Sequence, residues 1–350
     1  MAGTSLSEED IAVTVAAIQK HRQPDGNVNQ SAVARELGIA RSTVRNRIDQ
    51  IDRGVYTVND VETPAFPDFP EEDVAIEDII DLQCRRFEKR MASHEAHTWF
   101  PIKLKDTTPI GILRFGDPHM DDNGANWPAL KRDVELCKTT PGLFGANIGD
   151  STNNWSGRLV RLYANQDTSV KTARRMAEWF MLDSGVKWLI WLIGNHDAWG
   201  DGSEILAQMA RRHGTHKLVC HDWEARFTLT FPNGWEPRVY ASHDFKGHSM
   251  WNPLHGPMKE GQMGDDADLY VCGHKHNAAA YEFENTSRGH LQNFVRVRGY
   301  KFMDEYARRG GFKEQRGGCG AVTIFDPATK RVTVYLDTEE GADVLKAKRS

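Results

Sequence analysis

Five short apolar runs, at 110–115, 144–148, 188–193, 238–241 and 269–272, constrain this chain more than any other feature. Each is followed by a glycine or serine and then by groups that can bind a cation. Asp117 and His119 follow the first run, Asp150 the second, Asn195, His196 and Asp197 the third, His243 the fourth, and His274 and His276 the fifth. Apolar runs of this length flanked by glycine predict buried strands. Helical stretches at 127–137, 158–182 and 204–212 alternate with them, which predicts a layered α/β sandwich. The later strands, at 278–283, 294–297, 321–325 and 331–335, have no long helices between them, so the second half is expected to be mixed or antiparallel. Open α/β sheets place their ligand crevices at the carboxyl ends of strands, and one crevice could collect all five motifs.

The i, i+2 pairs Asp117/His119 and His274/His276 point to one side of an extended segment and can reach neighbouring metals. The glycine before most of these motifs is expected to permit a tight turn there. Asp, His and Asn donors without thiolate suit two divalent ions, manganese foremost, with Fe, Zn, Ni or Co as alternatives. A bridging carboxylate holds two such ions about 3.5–4 Å apart, a separation suited to the attacking and leaving oxygens of a phosphoryl group. The five cysteines are scattered with no Cys-x-x-Cys pair, so neither a disulfide nor a thiolate zinc site is expected.

In order and spacing, residues 109–276 resemble the calcineurin-like metallophosphoesterase superfamily, in its phage and bacterial form. The resemblance rests on Asp-x-His at Asp117 and His119, Gly-Asp at Asp150, Gly-Asn-His-Asp ending at Asp197, the single His243, and Gly-His-x-His ending at His276. It implies a metallophosphoesterase sandwich of mixed sheets flanked by helices. It further implies that Asp117, His119, Asp150 and His276 hold one metal, that Asp150 bridges, and that Asn195, His243 and His274 complete a second site. His196 would contact the phosphate or the leaving oxygen without binding metal, with Asp197 orienting it, and a water acidified by both cations would attack phosphorus in line. His248 and His255 stay open as alternatives to His243. Asn153 and Asn154 could donate to a phosphate oxygen or stabilise a turn.

Residues 31–51 resemble a helix-turn-helix of bacterial DNA-binding regulators. Val33 and Leu37 form one apolar face, Gly38 the turn, and Val44, Ile48 and Ile51 a second face, with an earlier support helix over 8–21. Arg41, Ser42, Thr43, Arg45, Asn46 and Arg47 would then face the major groove; a helical hairpin that only contacts protein is the alternative. Seven basic and seven acidic residues in 1–56 make weak, salt-sensitive binding the expectation for one copy. Between Asp60 and Asp81 nine acids, no Lys or Arg, and Pro64, Pro67 and Pro70 predict an extended acidic linker. Over 74–91 helical spacing of Ile76, Ile79, Ile80, Leu82, Phe87 and Met91 predicts a helix docked on the large domain. A basic, aromatic-containing stretch over 288–316 is either a nucleic-acid surface or an ordinary solvated face.

The expected organisation is therefore a helix-turn-helix module (1–56), linker and docking helix (57–97), an α/β metallophosphoesterase domain (98–340) and a polar tail (341–350). The net charge of −5 gives no global pull toward nucleic acid. No apolar stretch is long enough for a bilayer, and the expected location is the cytoplasm without an anchor. The expected activity is two-metal phosphoester hydrolysis by a phosphodiesterase or nuclease acting on DNA. Alternatives are a small-phosphoester hydrolase tethered to DNA, or a DNA-binding regulator with a structural or sensory metal centre. DNA and a phosphoester are the expected partners, and a protein partner or homodimer is left open.

Overall fold

The computed structural model describes residues 7–54, 66–69, 72–213, 218–302 and 318–350. The chain divides into two compact units, Met1–Ile76 and Glu77–Ser350.

The first unit contains α1 (Glu8–Lys20), α2 (Gln30–Leu37) and α3 (Arg41–Asp52). Ser7 caps α1 by accepting from the Asp10 N–H, and Asn29 caps α2 by accepting from Ala32. Gly38 ends α2 at φ 64°, a left-handed conformation that favours glycine. Ala17, Ile18, Val33 and Val44 are buried at the centre, with Leu37, Ile48 and Ile51 against them, so the apolar faces expected of two helices do meet. Arg41, Ser42, Arg45 and Asn46 are exposed and Thr43 is half-buried. Arg47 departs from expectation, since its Nη1 donates to Thr14 Oγ1 at 2.8 Å and ties α3 to α1.

Of the linker expected over 60–81, residues 60–65 and 70–71 lie outside those described, Asp60, Glu62, Pro64, Pro70 and Glu71 among them, while residues 76–81 are helical where an extended chain was expected. Residues 66–69 and 72–75 are exposed and non-helical. Helix α4 (Ile76–Ala96) follows, but the expected docking is not observed: all its residues are exposed, with Ile80 at 54% and Phe87 at 65%. Amphipathic spacing shows that a helix has an apolar face, not that its own chain covers it.

Among the described residues of the second unit, twelve strands form two six-stranded sheets. The first contains β2 (Ile110–Phe115), β3 (Leu143–Asn147), β4 (Trp188–Ile193), β5 (Cys220–Asp222), β11 (Gly320–Asp326) and β12 (Arg331–Tyr335), in the order β12-β11-β2-β3-β4-β5. The second contains β1 (Phe100–Lys103), β6 (Glu224–Thr230), β7 (Arg238–Ser242), β8 (Leu269–Cys272), β9 (Ala279–Asn285) and β10 (His290–Arg296), in the order β1-β6-β7-β8-β10-β9. Strands β2 to β5 run parallel, whereas β11 pairs antiparallel with both β2 and β12, and β6/β7 and β9/β10 are antiparallel. Both sheets are thus mixed.

Side-chain alternation builds the layers. Ile110 and Ile112 of β2 join Ile190, Leu192, Phe227, Leu229, Leu269 and Val271 in an apolar core drawn from both sheets. Leu113 and Phe115 belong instead to a core with Trp188, Trp191 and residues of α5 (Trp127–Thr139), α6 (Val170–Glu178), α7 (Gly202–Arg211) and α9 (Thr338–Arg349). Tyr240, Tyr270 and Phe294 pack with Met258 of α8 (His255–Met263) on the second sheet. The result is a four-layer α/β/β/α sandwich.

Two expected elements need correction. The helix expected over 158–182 is a 3-10 turn at Gly157–Asn165, then α6, capped afresh by Ser169, and a π-helical turn at Trp179–Asp183. The expected polar tail lies within α9, whose Gly341, Ala342 and Leu345 are buried. Glu339 and Glu340 stand in its first turn and Lys346, Lys348 and Arg349 in its last, the distribution a helix dipole favours. No helix among the described residues is long and apolar enough to cross a membrane.

Candidate metal centre

Three loops leaving β2, β3 and β4 in the first sheet meet two leaving β7 and β8 in the second. The chain bends sharply at this junction. Asp117 (φ 28°), His119 (φ 39°), Asp150 (φ 54°), His274 (φ 67°) and His276 (φ 49°) all adopt left-handed backbone, which is uncommon outside glycine and gathers at functional sites. The expected role of the preceding glycines holds at Gly149 (φ 105°). At Gly194 and Gly273 the reason is closeness instead: a Cβ there would lie 2.2 Å from Asp150 Oδ1 and 2.6 Å from Asp117 Oδ2, respectively.

Around Asp150 the donors converge. Its Oδ2 lies 3.3 Å from His243 Nε2, which lies 3.0 Å from Asn195 Oδ1 and 3.1 Å from His274 Nδ1. Asp150, His243 and His274 are close enough to share one ion. His243 Nδ1 lies 2.8 Å from the Ile148 carbonyl, an arrangement that holds the ring and leaves Nε2 free for the cluster. His248 and His255 are exposed and belong to neither ligand group.

On the other side Asp117, His119 and Asp150 are buried. Asp117 Oδ2 accepts from the His274 N–H at 2.7 Å, while Asp117 Oδ1 and His119 Nδ1 are buried with no hydrogen-bond partner among the described residues. The second ligand group is His119, Asp150 and His196, so His196 stands where the resemblance implies Asp117 and His276. The His276 ring lies 5.2 Å from that of His119.

Electrostatics sharpen the picture. Burial foremost, with the nearby Asp150 charge, raises Asp117 to about 8. Burial opposes the charge on His243, yet Asp150 and Asp117 outweigh it and raise the imidazole to about 9. Burial lowers His119, His196 and His274, favouring neutral rings with a free lone pair. Three buried carboxylates, Asp117, Asp150 and Asp197, crowd one crevice, and such a set calls for added positive charge. The orphaned Asp117 Oδ1 and His119 Nδ1 and the convergent N and O donors fit hard or borderline divalent cations.

Asp197 has a different place from the one expected. Its Oδ2 accepts from the N–H groups of Asp150 (2.7 Å) and Gly194 (3.1 Å), and its Oδ1 from Ser151 (3.0 Å). It pins the β3 and β4 loops together. His196 is held instead by the Asn153 carbonyl, 2.5 Å from Nδ1, while its own N–H donates to Asp150 Oδ1. Asn153 and Asn154 are likewise committed: Asn153 Nδ2 donates to Asp122 and Gln166, and Asn154 Nδ2 to the carbonyls of His196 and Trp199.

The basic stretch divides. Arg288 pairs with Asp266, buried Arg296 with Asp244, and Lys301 with Asp122, while Arg298 lies over the Phe302 ring at 3.7 Å. These cations serve the fold, but Arg296, Arg298 and Lys301 are buried and do not form the solvated face of the ordinary reading. Arg308, Arg309, Lys313, Arg316, Tyr306 and Phe312 lie outside the described residues.

Two residues beside the centre escaped sequence reasoning. The Trp155 and Trp199 rings lie 5.1 and 4.2 Å from that of His196. Their signal was position, since Trp155 follows Asn154 directly and Trp199 stands two residues after Asp197. Compared with known proteins, the chain matches no family model and no curated sequence.

Proposed function

We propose that the second unit is a two-metal phosphoester hydrolase acting on DNA and that the first is a helix-turn-helix that recruits it. The observation that carries this is the arrangement of donors about one shared carboxylate, Asp150, drawn from five strand ends of two sheets. Asp117, His119, Asp150 and His276 would hold one divalent ion, manganese by preference, and Asp150, Asn195, His243 and His274 a second. Such a pair supplies Lewis-acid activation of water and of the phosphoryl oxygens.

The chain's own residues do the rest. His196, its Nδ1 proton directed to the Asn153 carbonyl, presents Nε2 as the atom that can carry a proton to or from a substrate oxygen. Asp197 and Asn154 fix the loops that position it. Exposed Arg41, Ser42, Arg45 and Asn46, with Thr43, make up the surface that would meet DNA.

The test is hydrolysis of single-stranded DNA, duplex DNA, a small diester and a small monoester by metal-supplemented protein, alongside Asp150→Asn. Metal-dependent cleavage of DNA that Asp150→Asn abolishes, in a folded variant, is the expected result. Full activity of that variant after chelation and gel filtration would overturn the shared-carboxylate assignment. Cleavage of the small esters alone would leave the first unit as a tether.

A further inference from the structure

Next to His196 the described residues enclose a cavity of about 160 Å³, walled by Trp155, Leu159, Leu162, Trp199 and Lys301, with His119 and His276 at its metal-centre end. It is smaller than the roughly 300–1,000 Å³ typical of pockets that enclose a whole small molecule. Its walls are rigidly built. Trp155 Nε1 donates to Gln166 Oε1 at 3.1 Å, and the same Gln166 donates to Asp121 and to the Thr168 carbonyl. The Lys301 ammonium lies 5.4 Å from the centre of the Trp155 ring. The Trp199 carbonyl is held by Asn154, which also holds His196.

We infer that this cavity stacks one unpaired base of the nucleic-acid substrate, beside the phosphate being cleaved, without reading which base it is. The inference rests on the hydrolase reading above and adds the form of substrate. Two indole rings offer flat apolar faces, which every base can stack against. No carboxylate, carboxamide or guanidinium side chain lines the cavity, and its one lysine, Lys301, is paired with Asp122 at 3.0 Å, so the described lining residues offer little to discriminate base edges. A base inside an intact duplex cannot enter such a space without leaving its own stack, at a cost of a few kcal/mol. Single strands and frayed ends are therefore the favoured substrates.

The experiment compares kcat/KM of the full-length, metal-loaded chain for a single-stranded oligonucleotide and for the same strand with abasic sites. A ratio of about 5- to 150-fold in favour of the base-containing strand is expected, the usual worth of one stacked base. In Trp199→Ala and in Trp155→Ala the ratio should fall toward one, and Trp199→Phe should retain part of it. Because a ratio is read, a change in overall rate does not disturb the result. A second readout needs no catalysis: 2-aminopurine in the oligonucleotide should lose fluorescence on binding to metal-stripped wild type and not on binding to Trp199→Ala. A wild-type ratio near one, or a ratio that survives both Trp→Ala changes, overturns the inference. If the wild type cleaves no phosphoester, the hydrolase reading fails, and the fluorescence comparison alone decides whether the cavity takes a base.

Discussion

Replacing Asp197 by Asn tests whether this carboxylate is part of the scaffold or an orienter of His196. The side chain is buried and accepts from three backbone N–H groups on two loops. An amide has one accepting oxygen, and its best placement keeps the bonds to Asp150 and Gly194. The amide nitrogen then faces the Ser151 N–H, donor against donor. Two buried donors lose partners, at about 1–3 kcal/mol each. Against this, a neutral amide relieves the repulsion between Asp197 and Asp150, which together with burial raises Asp197 to about 7. The low end of the range should therefore hold, a loss of about 2 kcal/mol. Asp197→Ala orphans all three N–H groups and leaves a cavity, so it should cost more, about 3–6 kcal/mol. Urea denaturation of the metal-free protein, followed by tryptophan fluorescence, measures both. Wild-type stability in Asp197→Asn, joined to a selective loss of turnover, would refute the scaffold role and restore that of orienter.

His196→Ala should keep near-normal metal content and lose about 10²- to 10⁴-fold in turnover, the span of a positioned acid-base group; loss of a metal equivalent by elemental analysis would make His196 a ligand. Arg47→Ala should lower the stability of the first unit by about 1 kcal/mol through the lost bond to Thr14. Arg45→Ala should leave stability unchanged and reduce DNA affinity and its salt slope, as fluorescence anisotropy across a salt series would show. His221, stacked on Phe100 at 5.0 Å, is held by burial and by His97 at about 4, below its unfolded value of 6.5. The unfolded chain therefore takes up the proton first as pH falls, so stability present above pH 6.5 should drop by about 3 kcal/mol by pH 4. His221→Phe should flatten that part of the profile in a pH series of urea melts; an unchanged slope would show that His221 is not responsible.

What could be read from residues alone follows burial. Strands β2, β3, β4, β7 and β8 are almost wholly buried, so their apolar runs stand out. Strand β6 alternates buried and partly exposed residues, but Glu224, Arg226 and two threonines make its composition look polar. Helix α9 hides a buried Leu345 and Ala342 among charges. The motifs that meet at the candidate centre stood out in the sequence because each sits at a strand end, and strand ends are one-dimensional features. The roles of Asp197 and Arg47 were not, since each depends on a distance to an element remote in sequence: 46 or 47 residues from Asp197 to the β3 loop and 33 from Arg47 to Thr14.

Strand β11 lies between β2 and β12, and its partner β2 comes much earlier in the chain. During synthesis at ~5–20 residues per second, the interval from Phe115 to Gly320 leaves that edge of β2 bare for roughly 10–40 s. Throughout that time an apolar strand with unpaired backbone groups is available to any neighbouring nascent chain. Slower translation would lengthen the exposure, and a transcript truncated ahead of residue 320 would make it permanent. Slow delivery of β11 and β12 is thus expected to lower the yield of folded chain in a cell, and a holdase chaperone to restore part of it.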